Sequence, residues 1–355
     1  MSATSVASPG PADVIAAHHL IKDLFAPRPW RYWRELLLVG PAAWAALLLA
    51  IAVDSLWITF AAGILAVALW YRIAAMVHEL THQGPREIPG FHRAWNIAIG
   101  IAWLLPSVMY EGVHTGHHKK TTYGTADDPE YLPLAGRPWA IARYLAFSFA
   151  IFPGLLGRFL IAAPLSWCLP PLRRLLVRSA SSYVINLGYA RAMSAAERRR
   201  LFLWECAILA AWLPPIALTI AGILSAKWLG VWYAVYSAVL FVNRVRMLTA
   251  HHFALPGEPT DHLGQFADSI DTPGAWWAEL WAPLGMRFHA LHHLFPTLPF
   301  HNMRPAYERL VAALPADSFY RRSTACGLVP TLRQVVGRGA ARSAPSQRLI
   351  DGIKP

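Results

Sequence analysis

The sequence predicts an all-α integral membrane protein with four transmembrane helices in two hairpins. Three observations carry that prediction. Only 15% of the 355 residues are charged, against roughly 25% in soluble domains. The mean hydropathy is +0.35. Long uncharged runs also come in two pairs, each split by one charge: residues 36–53 and 55–71 around Asp54, then 206–226 and 228–243 around Lys227. Runs of about 17–25 residues are what a helical bilayer crossing needs. This composition argues against a soluble enzyme, a disordered regulator or a collagen-like fibre.

Taken in order, residues 1–34 lack the apolar core and small-residue cleavage site of a secretory signal and read as a loose cytoplasmic arm. Lys22, Arg28, Arg31 and Arg34 then precede the first span, with Trp30 and Trp33 placed for the interface. The membrane domain covers 35–320, with spans at about 36–53, 55–77, 206–226 and 228–248. Residues 78–205 and 249–320 are assigned to the cytosol or the interface. Two intervening apolar stretches do not read as crossings. Residues 94–110 are barely long enough, and 141–172 are broken by Arg143, Arg158, Pro153, Pro164, Pro170 and Pro171, which favours an interfacial or re-entrant course. Ser194 and Glu197 form a capping box opening the helix that leads into the second hairpin. Beyond 320 lies a basic tail, 321–355, with Arg338, Arg342 and Arg348.

The net charge of +12 fits basic loops held on the cytoplasmic side, since the predicted outer turns hold only Asp54 and Lys227; nucleic acid is not the implied partner. Cys168, Cys206 and Cys326 form no CxxC pair, so neither a disulfide framework nor a thiolate zinc site is indicated.

Histidine is the unusual polar residue. Most of the fifteen fall in four clusters: His78-Glu-Leu-Thr-His82, His114-Thr-Gly-His117-His118, His251-His252 and His289-Ala-Leu-His292-His293. Residues three or four apart on a helix share a face, so each box can aim several imidazoles at one point. With an even number of crossings all four clusters meet one face of the membrane. A single crossing by 94–110 would instead put His114 on the far side. The eight box histidines plus His251 give nine neutral nitrogen donors, too many for one zinc and suited to two iron ions with positions left for dioxygen. A rival reading takes His78-Glu79-Leu80-Thr81-His82 as an HExxH zinc protease motif with Glu79 as general base. That leaves seven clustered histidines unexplained. A bis-histidine haem protein is a third possibility. His18, His19, His92, His262 and His301 read as surface, core or loop residues.

The boxes HELTH, HTGHH and HALHH, spaced around two hairpins, resemble the membrane fatty acid desaturase superfamily, which includes lipid hydroxylases and carotenoid-modifying oxygenases. The resemblance runs from about Leu36 to Met303. It implies a four-helix stem under a cytosolic helical cap that holds a histidine-rich di-iron site. It implies as ligands His78, His82, His114, His117, His118, His289, His292 and His293. The extra ligand beyond the fourth span fits His251, with His252 beside it as the alternative. Where related desaturases often carry an Asn four residues before that histidine, this chain has Met247. Asp127 and Asp128, in the run Asp-Asp-Pro-Glu-Tyr, resemble acidic residues that orient ligand histidines, and Asp268, Asp271 and Glu79 are similar candidates.

The activity implied is dioxygen-dependent oxidation of a lipid, with fatty acyl desaturation first and hydroxylation or ketolation of a lipid or isoprenoid as the alternative. The acyl substrate would be carried as a phospholipid, acyl-CoA or acyl carrier protein. The chain has no CxxC cluster, Rossmann fingerprint or haem signature, so a separate electron donor, a ferredoxin or a cytochrome with its reductase, is expected. Lys119, Lys120, Arg198, Arg199, Arg200, Arg321 and Arg322 offer it a basic face.

Overall fold

A computed structural model describes residues 10–253, 255, 257–325 and 327–337. Among these the chain is helical, with only isolated β-bridges such as His251 to Ser269 and Asp271 to Phe288. Four helices are long and apolar enough to cross a membrane: Pro29–Ala52, Leu56–His82, Ser148–Cys168 and Ala195–Ile220. Lys227–Met247, expected as the fourth span, is a 21-residue helix outside that set, and it contains Lys227, Arg244 and Arg246.

The Ser148–Cys168 helix is continuous where the sequence suggested breaks. Arg158 does not interrupt it, because the guanidinium donates to Glu205 on the Ala195–Ile220 helix at 2.6 Å, and a paired charge is far less costly to bury than a lone one. Pro164 does not end it either. Proline cannot donate to the helical ladder, and the ladder slips into a π-turn at Arg158–Ala162 just before it. A π-turn at Glu35–Val39 precedes Pro41 in the same way.

The first two long helices are joined by a tight turn at residues 53–55, and the Lys227 ammonium donates to the Val53 carbonyl, so both predicted hairpin turns meet at one end of the bundle. The histidine boxes lie at the other. Residues 94–110 double back: a π-turn at Asn96–Gly100 is followed by Leu104 at φ 53°, and the Asn96 side chain clasps Ser107 by accepting from its N–H at 2.8 Å. The chain therefore returns to place the Val108–His117 helix beside the first box.

The arm expected to be loose is docked, and so is part of the basic tail. The arm is helical over Pro11–Ile21, with Ala17 and Ile21 fully buried against a cluster that includes Leu294, Phe295 and Leu310. Leu328–Gly337 is also helical and packs Val335 beside Tyr144 and Met247. Arg338, Arg342, Arg348 and Cys326 lie outside the described residues.

Candidate metal centre

The clusters converge. His78, His82, His114 and His292 each offer a nitrogen, all within 4.8 Å of one another, and His117, His251, His289 and His293 form a second set of the same kind. His118 joins the first set, its Nε2 lying 3.0 Å from that of His114 and 2.9 Å from that of His292. The nine imidazoles singled out in the sequence are therefore all brought together. Between His251 and His252 the geometry selects His251, whose Nε2 is 2.9 Å from that of His289. His252 instead lines a surface pocket with Arg322 and Thr331.

Local structure explains the aim. His78 and His82 are one helical turn apart at the end of Leu56–His82, and His114, His117 and His118 end the Val108–His117 helix. The third box is a short helix, His289–Leu294. Its start is fixed by Asp271, which accepts from the Ala290 and Leu291 N–H groups at 2.8 and 3.1 Å and from the Tyr320 hydroxyl at 3.0 Å.

Carboxylates and a phenol hold the outward ring nitrogens. His114 Nδ1–H donates to Glu130 at 2.5 Å, and His117 Nδ1–H is shared by the Asp128 oxygens at 2.9 and 3.0 Å. His251 Nδ1–H meets the Tyr123 oxygen at 3.0 Å, and the Tyr123 hydroxyl donates to Asp268 at 3.2 Å. With those Nδ1–H tautomers fixed, His114, His117 and His251 turn Nε2 lone pairs inward, and neighbouring Nε2 atoms lie 2.9–3.3 Å apart across a buried space. The Nε2 atoms of His82 and His117 are buried there with no hydrogen-bond partner among the described residues, so the donor set fits metal binding.

Burial, followed by repulsion from neighbouring imidazoles, holds His114, His118, His292 and His293 well below the usual histidine range, the uncharged form a ligand needs. Burial also lowers His117, but the Asp128 carboxylate and its hydrogen bond outweigh that and the net shift is upward.

One expectation about these carboxylates needs correction. Asp127 is exposed on a turn and makes no contact with a histidine among the described residues. Its place is taken by Glu130, which sequence reasoning passed over although it lies in the same acidic run. Glu79 sits behind the first box, with one carboxylate oxygen 3.7 Å from His78 Nδ1. Its carboxylate accepts from the Tyr32 hydroxyl at 3.0 Å and the Phe300 N–H at 3.2 Å, tying the first box to the Phe300–Ala313 helix. The histidine sets are wholly imidazole, without the carboxylate ligand an HExxH protease uses. His301 packs against Tyr32 and Phe300, outside both sets.

A cavity of about 290 Å³ opens beside the first set. Its walls are mostly apolar, with Trp103, Leu105, Met109, Leu240 and Met286, and His78, Tyr110 and Glu130 line it as well. A mostly apolar cavity of this volume suits hydrocarbon.

The profile of the fatty acid desaturase family matches residues 55–325. A ceramide hydroxylase of Caulobacter vibrioides is 37% identical over 343 residues, covering 93% of this chain and 95% of its own. Histidine boxes at these spacings, apolar helices and a match over most of the sequence agree, and the chain belongs to the fatty acid desaturase family.

Proposed function

We propose that this chain is a di-iron, dioxygen-dependent hydroxylase of a long-chain lipid amide of the ceramide class. The observation that carries the reading is the opening of a mostly apolar cavity onto His78, one of nine convergent imidazoles. The sequence put desaturation first, and the relative's activity favours the alternative. His78, His82, His114, His118 and His292 would hold one iron, and His117, His251, His289 and His293 the other. Bound there, the irons supply reductive activation of dioxygen with two external electrons, leaving one oxygen atom in the lipid and the other in water.

The protein's own share is positioning and exclusion. Trp103, Leu105, Met109, Leu240 and Met286 keep the hydrocarbon extended and water away from the reacting carbon. Asp128, Glu130 and Tyr123 fix the ring orientations of His117, His114 and His251. The electrons come from a separate ferredoxin or cytochrome-type protein on the cytoplasmic side, for which exposed Lys119 and Lys120, next to His118, offer a basic landing point.

Expression in a host with a matching reductase, followed by mass spectrometry of whole lipids, tests the reading. A ceramide heavier by one oxygen atom supports hydroxylation. Lipids lighter by two hydrogens, with no oxygen gain, would return the assignment to desaturation.

A further inference from the structure

Five arginines among the described residues are buried: Arg158, Arg191, Arg244, Arg246 and Arg287. Three have carboxylate partners, Arg158 with Glu205 and Arg191 with Glu197 at 2.6 Å, and Arg287 with Glu279 at 3.1 Å. Arg244 and Arg246 have none within ion-pair reach among the described residues, and both line the cavity that contains His78. Arg244 is held in place by the Tyr144 carbonyl at 2.6 Å and lies over the Tyr144 ring. Arg246 donates to Asn243 at 2.9 Å, and its Nε is buried without a partner.

Two more cavity residues share that condition. The Tyr144 hydroxyl and the Ser182 hydroxyl are buried and make no hydrogen bond among the described residues. Buried donors left unmade are costly, and buried guanidinium groups without a countercharge more so. A bare hydrocarbon entering this cavity would leave Arg246 Nε and both hydroxyls without a partner and neither guanidinium in an ion pair. A lipid with oxygen acceptors at one end would give those donors partners.

We propose that Arg244, Arg246, Tyr144 and Ser182 form a polar subsite that binds the amide carbonyl and hydroxyl oxygens of the lipid head. The site of oxidation is then counted from the head and not from the methyl end of the chain. The inference rests on the ceramide reading above and adds the residues that recognise the substrate.

The test uses the full-length, iron-loaded chain in detergent, with native mass spectrometry reading retention of a ceramide and of a linear alkane of equal length. Arg246→Gln should weaken ceramide retention by about tenfold or more, and Tyr144→Phe and Ser182→Ala by about three- to tenfold each. Alkane retention and iron content should stay as in the parent. If Arg246→Gln does not fold, the two hydroxyl deletions still decide. Equal losses for ceramide and alkane would mean packing alone, and unchanged ceramide retention would remove the subsite; either overturns the proposal. Ceramides of longer acyl chain should be oxidised at the same distance from the amide, and a product that tracks the methyl end also overturns it. Variants that bind like the parent while the parent hydroxylates ceramide would sink this inference alone. A parent that retains ceramide with the variant pattern above yet never oxidises it would leave the subsite standing and refute the proposed reaction.

Discussion

Asp128→Asn is a nearly isosteric change whose cost can be worked from contacts. Asp128 is fully buried. One oxygen accepts from His117 Nδ1 at 2.9 Å and the Glu130 N–H at 2.9 Å; the other accepts from His117 Nδ1 at 3.0 Å and the Gly124 N–H at 2.8 Å. Asparagine has a single oxygen, so in either flip its NH2 faces a backbone N–H and leaves that donor unmade, at about 1–3 kcal/mol. His117 also exchanges a charged acceptor for a neutral one, about another 1 kcal/mol. Loss of such a supporting carboxylate weakens metal binding by about 10–100-fold. Among the nine histidines Asp128 hydrogen-bonds His117 alone, so on the di-iron reading proposed above iron per chain should fall from about two toward about one after brief chelation, measured by plasma mass spectrometry. A variant that keeps the parent's iron content and chelator resistance would refute the link between Asp128 and the second histidine set.

Further outcomes follow from other contacts. His117→Ala should lose iron from the second set and abolish turnover; full activity would contradict a ligand role. Glu130→Gln should weaken iron retention at the first set, whereas exposed Asp127→Asn should change stability by about 0.5 kcal/mol or less, read as thermal midpoints with and without iron. Glu205→Leu leaves Arg158 and Arg173 without their shared carboxylate and should cost about 3–5 kcal/mol, while Arg158→Met with Glu205→Leu should recover much of it. Detergent unfolding curves decide, and equal loss in the single and double variants would refute the pairing argument.

The nine imidazoles were legible because spacing of three or four residues survives in any helix, whatever surrounds it. His251 was preferred to His252 on resemblance alone, since adjacent residues differ only in which way the chain bends beyond Met247. Asp127 and Glu130 show the same limit: three residues apart in a turn, they face opposite ways, and only the return of the Val108–His117 helix decides which one meets His114. The helical course of 148–168 was hidden because Arg158 looked like an interruption until its partner, 47 positions further along, lay beside it. The docking of Pro11–Ile21 depends on a surface from residues almost three hundred positions away, beyond the reach of local pattern.

The stem's aromatic packing has an optical consequence. Trp70 and Trp103 stack at 5.1 Å, Trp103 and Tyr236 at 4.3 Å, and Trp44 and Trp232 sit against Trp70 at 5.1 and 5.4 Å. Indoles this close couple their excited states, and Trp103 is also part of the cavity wall. The molecule thus carries a built-in chromophore array whose near-ultraviolet dichroism and emission report on whatever displaces water beside that ring, with no label attached.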